Sequence, residues 1–156
     1  MVRYVKINRK NAGEASKILK ETFDYIEDKE ELKFFDDYSI SPMLVDGENF
    51  YIEVDKEIAG ICGWYLPKAD SSAVWLSWLA IKPDFRRMGL AKQAIKHCNA
   101  RPQKKYWIDS FRVYTGINNK EAISLYKKLG YEEDSTYNNA IVFSKGKTRW
   151  CKEPIW

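Results

Sequence analysis

The chain has 156 residues, of which 45% are hydrophobic, 15% aromatic and 31% charged, and this content excludes a disordered or collagen-like polymer. A chain of this length is expected to form one packed domain, which needs neither disulfides nor a structural metal for stability. The 26 basic and 22 acidic residues give a formal net charge of +4, which favours an anionic ligand without requiring a polyanion.

The first predicted elements are a strand and a helix. Residues 2–7 alternate with the period of a strand, and apolar residues recur at helical spacing from Ala15 to Phe23. Asn11 is placed to cap this helix. Residues 26–49 are acidic and aromatic with poor periodicity, so we expect a short helix and a mobile loop there.

Three consecutive strands are predicted in the middle of the chain. Residues 50–54 and 58–66 read as a hairpin around a short turn, and residues 73–81 supply the third strand. Strict alternation in the third strand puts Trp75 and Trp78 on opposite faces of the sheet.

The second half of the chain alternates helices with strands. The first helix has an apolar face formed by Met88, Ala91, Ile95 and Cys98, and it is expected to end at Pro102. The patterns that follow predict a strand at 111–115, a helix at 119–129 closed by Gly130, a strand from Tyr131 and a last strand at 140–143. We therefore predict one α/β domain over residues 1–156, with a mixed, mostly antiparallel sheet flanked by helices.

The cysteines bear on the compartment and on metal binding. Cys62, Cys98 and Cys151 are an odd number, and none has a second Cys or a His at metal-ligand spacing. We expect no metal site and a reducing compartment. No segment approaches the ~20 apolar residues of a membrane span, and the first six residues do not form the apolar stretch of a signal peptide. The sequence thus predicts a cytoplasmic protein without a membrane partner.

An anion site is predicted at residues 79–92, LAIKPDFRRMGLAK, where a strand ends and a helix begins near Gly89. Main-chain N–H groups at a helix start have no internal partners, and the helix dipole is positive there. The small residues Gly89 and Ala91 let a phosphate approach the backbone, while Arg86, Arg87 and Lys92 add positive charge. An ordinary strand-to-helix turn shows the same pattern, so this segment alone is weak evidence.

A second segment, residues 119–131 with the sequence NKEAISLYKKLGY, follows in order. Together the two segments resemble the signature of the GNAT superfamily of N-acetyltransferases. Its pattern is Arg or Gln-x-x-Gly-x-Gly or Ala after the fourth strand, then Asn-x-x-Ala-x-x-Leu-Tyr-x-Lys-x-Gly-aromatic. By element order the resemblance extends over residues 2–143, but its specific part is confined to these two segments.

The resemblance implies a binding site for acetyl-coenzyme A (acetyl-CoA). Backbone N–H groups would wrap its pyrophosphate, and they belong to Arg86, Arg87, Met88, Gly89, Leu90, Ala91 and Lys92. The backbone of the fourth strand, at Leu79 and Ile81, would pair with the pantetheine arm and offer an N–H to the thioester carbonyl. Asn119 stands where the family has a cofactor-contacting Asn, although an Asn there is equally a helix cap.

The same resemblance implies acetyl transfer by direct attack of a primary amine, carried by a small molecule or a peptide. Tyr126 stands at the family's general-acid position, where a phenol with a reference pKa of ~10 can protonate a departing thiolate. Its helical spacing from neighbouring apolar residues equally fits a core aromatic. Glu53 is a candidate base by location only, with a water chain as the alternative, and His97 is expected to be structural or exposed.

Other functions and partners stay open at this stage. Two basic aromatic stretches favour a rival interpretation as a nucleic-acid-binding module. The first comprises Arg101, Lys104, Lys105, Tyr106 and Trp107, and the second, near the C-terminus, comprises Lys145, Lys147, Arg149, Trp150 and Lys152. Interrupting acidic residues make that partner the weaker hypothesis. A non-catalytic acetyl-CoA sensor and a homodimer are further alternatives. The acidic segment at residues 27–48 is expected either to attract a cationic amine acceptor or to form an ordinary solvated loop.

Overall fold

A computed structural model describes residues 1–23 and 42–146 as one sheet with helices on both faces. The strands are β1 (Val2–Lys6), β2 (Leu44–Val54), β3 (Glu57–Pro67), β4 (Ala73–Leu76), β5 (Ala80–Ile81), β6 (Ser110–Gly116), β7 (Glu132–Tyr137) and β8 (Ala140–Gly146). The helices within the described ranges are α1 (Gly13–Thr22), α2 (Leu90–Gln103) and α3 (Lys120–Lys128).

The sheet runs in the order β1-β2-β3-β4-β6-β8-β7, and the short β5 pairs with β3. Every pairing is antiparallel except that of β4 with β6, which is parallel. Apolar residues of α2 and α3 share a core with one face of the sheet, whereas α1 packs against the other face. The predicted mixed, mostly antiparallel α/β architecture is confirmed.

The strand β2 begins at Leu44, so the predicted loop over residues 44–49 is wrong. Polar side chains concealed this part of the strand from the sequence pattern. Asp46 accepts a hydrogen bond from the Tyr106 hydroxyl at 2.8 Å, and Glu48 is held by Arg101. Both partners follow more than fifty residues later in the chain, and they let polar side chains enter a buried strand. The predicted short helix and most of the acidic segment lie outside the described residues.

The N-terminus of α1 is capped from a distance, and the predicted Asn11 cap is wrong. The helix starts after Ala12, which makes no side-chain cap, and the N–H of Ala15 instead donates to the Tyr51 hydroxyl at 3.0 Å. Asn11 closes the preceding turn by accepting from the Asn8 N–H at 2.7 Å. A tyrosine on β2 therefore satisfies an orphan donor that sequence rules assign to a local residue.

The buried face of α2 is displaced from the predicted one. It consists of Leu90, Ala94, Ile95 and Cys98, followed by Pro102. Met88 lies before the helix and is 53% exposed, so it does not belong to this face. Pro102 lies inside the last turn and does not end the helix. At that position its missing N–H removes a single bond to the preceding turn.

The fold brings Cys62 of β3 and Cys98 of α2 together as buried free thiols. Burial, together with the neighbouring Cys62 thiol, raises the pKa of Cys98. Within residues 1–23 and 42–146, no group of three His, Cys, Asp or Glu side chains could hold a metal ion. No helix in that part of the chain is long and apolar enough to cross a membrane.

Gly60 allows β5 to approach β3 closely. A Cβ atom at this position would overlap the carbonyl oxygen of Ala80 and lie 3.1 Å from the Cα of Ile81. Both obstacles are backbone atoms, so a side chain here must push β5 away from the sheet. A Cβ at Gly13, the first residue of α1, would have nothing within 4 Å.

We predict that Gly60→Ala lowers the free energy of unfolding by about 1–3 kcal/mol because the added methyl overpacks two backbones. Gly13→Ala is the matched control, and we expect it to leave stability unchanged or raise it by up to about 1 kcal/mol. Urea unfolding followed by circular dichroism measures both changes. Equal free energies of unfolding for the two variants would show that β5 can move away from β3 without a loss of stability.

Candidate functional site

A β-bulge interrupts the predicted strand over residues 73–81. The N–H of Ser77 donates to the carbonyl of Gly63 at 2.9 Å, whereas Ala80 pairs with Ile61. Two residues, Trp78 and Leu79, therefore stand opposite the single residue between Gly63 and Ile61. Such a bulge bends a strand and redirects its side chains.

The bulge changes which side chains share a face. Trp75 stacks on Tyr65 on the face opposite the α2–α3 core, and Trp78 packs with the α1 cluster on that same face. Leu76 and Leu79 both join the α2–α3 core. The prediction that the two tryptophans lie on opposite faces is wrong, because the extra residue shifts the alternation by one.

The strands β4 and β6 part after three paired positions. Their parallel ladder joins residues 73–75 to residues 110–112 and then ends. Beyond it, β5 stays hydrogen-bonded to β3, while β6 continues along β8 as far as Gly116. Among residues 1–23 and 42–146, no strand lies between the backbone edge of β5 and that of residues 113–116, so these two edges face an opening. We call this opening the central cleft.

The chain turns from β5 into α2 at one end of the central cleft. A short 3₁₀ turn covers Pro83–Phe85, and Arg87 and Gly89 then take positive φ values of 62° and 76°. The Arg86 side chain braces the turn, since its Nε donates to the carbonyl of Ile81 at 3.1 Å. Lys82 ties the turn to α1 through Glu14 at 2.9 Å.

The N-terminus of α2 is uncapped and open. Gly89 is its N-cap residue and provides no side-chain hydrogen bond, and the first N–H bonded back into the helix belongs to Gln93. The N–H groups of residues 90–92 precede that bond and have no acceptor within the helix. A Cβ at Gly89 would meet nothing within 4 Å, so the approach to this backbone is clear. Leu90 is buried and anchors the turn, while Arg86, Arg87, Met88 and Lys92 are exposed.

Tyr126 lies on α3 and is 5% exposed. Its ring packs against those of Tyr131 and Phe143, with centroids 5.8 and 5.9 Å away. Burial in this apolar surrounding raises the pKa of Tyr126 above its ordinary value of 10. The phenol is thus held protonated at neutral pH, and the side chain also belongs to the core.

The C-terminus of α3 fixes the position of Tyr126. Gly130 has a φ of 91°, and the N–H of Tyr131 donates to the carbonyl of Tyr126 at 3.0 Å. These features form a Schellman motif, in which the residue after the glycine commonly contacts the last helical turn. The hydroxyl of Tyr131 in turn accepts a hydrogen bond from Asn99 of α2 at 2.9 Å.

The remaining predicted site residues have structural partners. Asn119 caps α3 by accepting from the N–H of Ala122 at 3.3 Å. Glu53 is paired with Arg3 at 2.7 Å on β2, and β3 and β5 separate it from the central cleft. His97 stacks on Tyr4 at a centroid distance of 3.8 Å, and burial lowers its pKa. Its predicted structural role agrees with this packing.

Sequence reasoning missed the role of Glu48. This carboxylate is 8% exposed and accepts two hydrogen bonds from Arg101, at 3.0 and 2.7 Å, and one from the indole of Trp64 at 3.2 Å. A signal was present, because counting back from Phe50 in steps of two puts Glu48 on the core face of β2. A charged residue on that face requires a buried partner.

The family model described as Acetyltransferase (GNAT) domain matches residues 46–133, which is more than half of the chain. The chain belongs to the GNAT family. No curated protein matches the chain in sequence.

Solved structures share the fold of this GNAT domain at low sequence identity. PaiA N-acetyltransferase from Thermoplasma acidophilum, in complex with coenzyme A, is 15% identical with a TM-score of 0.70, covering 94% of this chain and 99% of that one. The ribosomal-protein-S18-alanine N-acetyltransferase from Escherichia coli is 16% identical with a TM-score of 0.72, covering 100% and 99%. NAA60 of Arabidopsis thaliana, in complex with acetyl-CoA, is 14% identical with a TM-score of 0.73, covering 94% and 98%.

Burial of Tyr126 makes stability fall at alkaline pH. An unfolded tyrosine ionises near a pKa of about 10, whereas the folded Tyr126 keeps its proton to higher pH. Its contribution to stability is therefore complete below about pH 10 and is lost as the pH rises further. We predict that Tyr126→Phe loses less stability than the wild type between about pH 8 and about pH 11. Urea unfolding at both pH values measures the difference, and equal losses would contradict it.

Proposed function

We propose that this GNAT domain binds acetyl-CoA and transfers the acetyl group to a primary amine of a small molecule or a peptide. The observation that carries the proposal is the uncapped start of α2 beside the end of β5, at the central cleft. Two relatives of the same fold are in complex with coenzyme A or acetyl-CoA, which supports this choice of donor.

The backbone of the turn is suited to hold the pyrophosphate. In the proposal the N–H groups from Arg87 through Lys92 surround it, because the N–H of Arg86 already donates to the carbonyl of Pro83 at 3.3 Å. The positive end of the α2 dipole adds to the attraction. The clear approach at Gly89 fits an oxygen-rich ligand resting on the main chain. The backbone of Leu79 and Ile81 would pair with the pantetheine arm along the edge that faces the central cleft.

In the proposed reaction Tyr126 is the general acid that protonates the leaving thiolate. Acetyl-CoA supplies a thioester whose carbonyl carbon accepts the amine nitrogen and whose C–S bond breaks. Tyr126 donates its proton to the sulfur, and the proton lost by the nitrogen is relayed back to the phenolate through water. This return matters, because a phenol with a raised pKa is a weaker acid than a thiol of reference pKa ~8.5 and would not give up its proton unaided.

The proposal assigns the base to water rather than to a carboxylate. Glu53 is bound to Arg3 and lies two strands from the central cleft, so it is not suited to take the amine proton. The described part of the acidic segment is also engaged, because Glu48 is bound to Arg101 and Asp46 accepts from Tyr106.

A peptide amine is a reasonable acceptor class within the proposal. One relative of the same fold acts, by its name, on an alanine of ribosomal protein S18. A small-molecule amine remains the other member of the class, and turnover with each distinguishes the two. Free thiol released from acetyl-CoA in the presence of an amine panel is the direct assay.

We predict that Gly89→Glu weakens coenzyme A binding by at least about tenfold, because a carboxylate would project where the pyrophosphate rests. Isothermal titration calorimetry measures the affinity. Gly13→Glu places the same side chain at the start of α1 and is expected to leave binding unchanged. Gly89→Ala separates backbone strain at positive φ from the charge effect. A folded Gly89→Glu protein with wild-type affinity would remove this turn as the cofactor site.

We predict that Tyr126→Phe lowers kcat by about 100-fold while the affinity for coenzyme A changes less than about twofold. The substitution keeps the packed ring and deletes only the hydroxyl. Phe143→Leu is the control for altered packing next to the same ring, and it should affect stability more than kcat. Wild-type turnover in Tyr126→Phe would show that Tyr126 is only a core aromatic and that water supplies the proton to the departing thiolate.

A further inference from the structure

A second cleft lies at the opposite end of α2 from the cofactor turn. It has a volume of about 380 Å³ and is formed by the end of β1, β2, β3, the end of α2 and the residues that follow α2. The 14 residues of α2 span roughly 21 Å at 1.5 Å per residue, so the two sites are well separated. We call it the α2 C-terminal cleft. Its volume lies within the range of about 300–1,000 Å³ typical of small-molecule sites.

One wall of this cleft consists of polar side chains that are held in place by hydrogen bonds to one another. Glu48 receives both hydrogen bonds of the Arg101 fork, and Asp46 accepts from the Tyr106 hydroxyl at 2.8 Å. The guanidinium of Arg101 also lies 5.7 Å from the centre of the Phe50 ring, which holds it from a third direction. The charge of Glu48 is therefore offset by Arg101, whereas Asp46 keeps its charge beside the neutral Tyr106 hydroxyl.

The cations of the cleft outnumber its carboxylates. Lys6, Arg101, Lys104 and Lys105 face two acidic residues, which leaves a net charge of +2 on the lining. Lys6 reaches Glu48 at 3.8 Å. In the described part of the chain neither Lys104 nor Lys105 has a carboxylate within salt-bridge distance, and the Lys105 ammonium lies 5.4 Å from the centre of the Tyr106 ring. Within the described ranges, these two ammonium groups therefore lie beside the Arg101–Glu48 pair without an acidic partner of their own.

We propose that the α2 C-terminal cleft binds a small multivalent anion bearing phosphate or carboxylate groups, held by Lys104, Lys105 and Lys6 against the Arg101–Glu48 wall. Charge-assisted hydrogen bonds from several ammonium groups suit such a ligand, and the ring of Tyr106 provides an apolar side.

The same residues formed the first basic aromatic stretch that suggested nucleic acid. The fold removes Arg101 from the exposed charge by pairing it with Glu48, and the remaining lysines line a concave site rather than a long stripe. A polynucleotide requires a series of phosphate contacts along its backbone. A compact anion satisfies the lysines without that length, so the cleft favours the small ligand.

The test is calorimetric titration with citrate and with inorganic pyrophosphate, in the absence and presence of coenzyme A at low salt. Lys104→Glu/Lys105→Glu is expected to weaken binding of at least one probe by about tenfold or more. Lys10→Glu/Lys17→Glu is the matched control, because it changes the net charge equally at exposed lysines around α1, and it should change affinity less than about twofold. The substituted lysines are exposed, and thermal unfolding without anion checks that each variant folds.

Four results would overturn the proposal: neither probe binding at millimolar concentration, both variant pairs losing affinity equally, coenzyme A displacing the lysine-dependent probe, or a single-stranded oligonucleotide binding the wild type more tightly than the probes do. The experiment does not depend on the acetyltransfer proposal. A protein that fails to bind coenzyme A still reports the lysine-dependent binding, and a protein that binds coenzyme A normally can still fail this test.

Discussion

The bulge opposite Cys62 is the constraint on which the rest of the structure depends. One extra residue between Ser77 and Ala80 ends the β4–β6 ladder and leaves β5 attached to β3 alone. The central cleft exists because the sheet cannot close beyond that point. The backbone edges that face this cleft belong to interior strands of the sheet, where the ladder would otherwise pair them.

The helix α2 lies between the proposed cofactor turn and the proposed anion site, which use opposite ends of the same element. Its first turn offers unpaired N–H groups, and its last turn supplies Arg101 to a nearly buried Glu48. The Glu48 side chain is 9% exposed and that of Arg101 is 38% exposed, so solvent screens the pair and its net contribution to stability is small. The pair is therefore best understood as fixing where α2 ends relative to β2.

Several residues around α3 both stabilise the helix and belong to the segment of the proposed active site. Asn119 begins the helix as a cap, Gly130 ends it at positive φ, and Tyr131 both closes the motif and packs on Tyr126. Each of these residues has a sufficient structural reason to be where it is. The residues of the family signature in this segment thus fix the position of the Tyr126 phenol. Asn99 of α2 contributes by donating a hydrogen bond to Tyr131, which packs on Tyr126.

The sequence by itself determined the elements whose signals are local. Gly89 and Gly130 mark helix ends, and alternation marks the β2–β3 hairpin, because a positive φ or a two-residue period is written in neighbouring residues. Only the tertiary structure decided the entry of Glu48 into a strand, the capping of α1 by Tyr51, the contact of Cys62 with Cys98, and the shared face of Trp75 and Trp78. Each of these depends on a partner distant in sequence or on a single inserted residue. Alternation places Glu48 on the core face of β2, but it does not reveal Arg101 as the partner, and the inserted residue breaks the alternation itself.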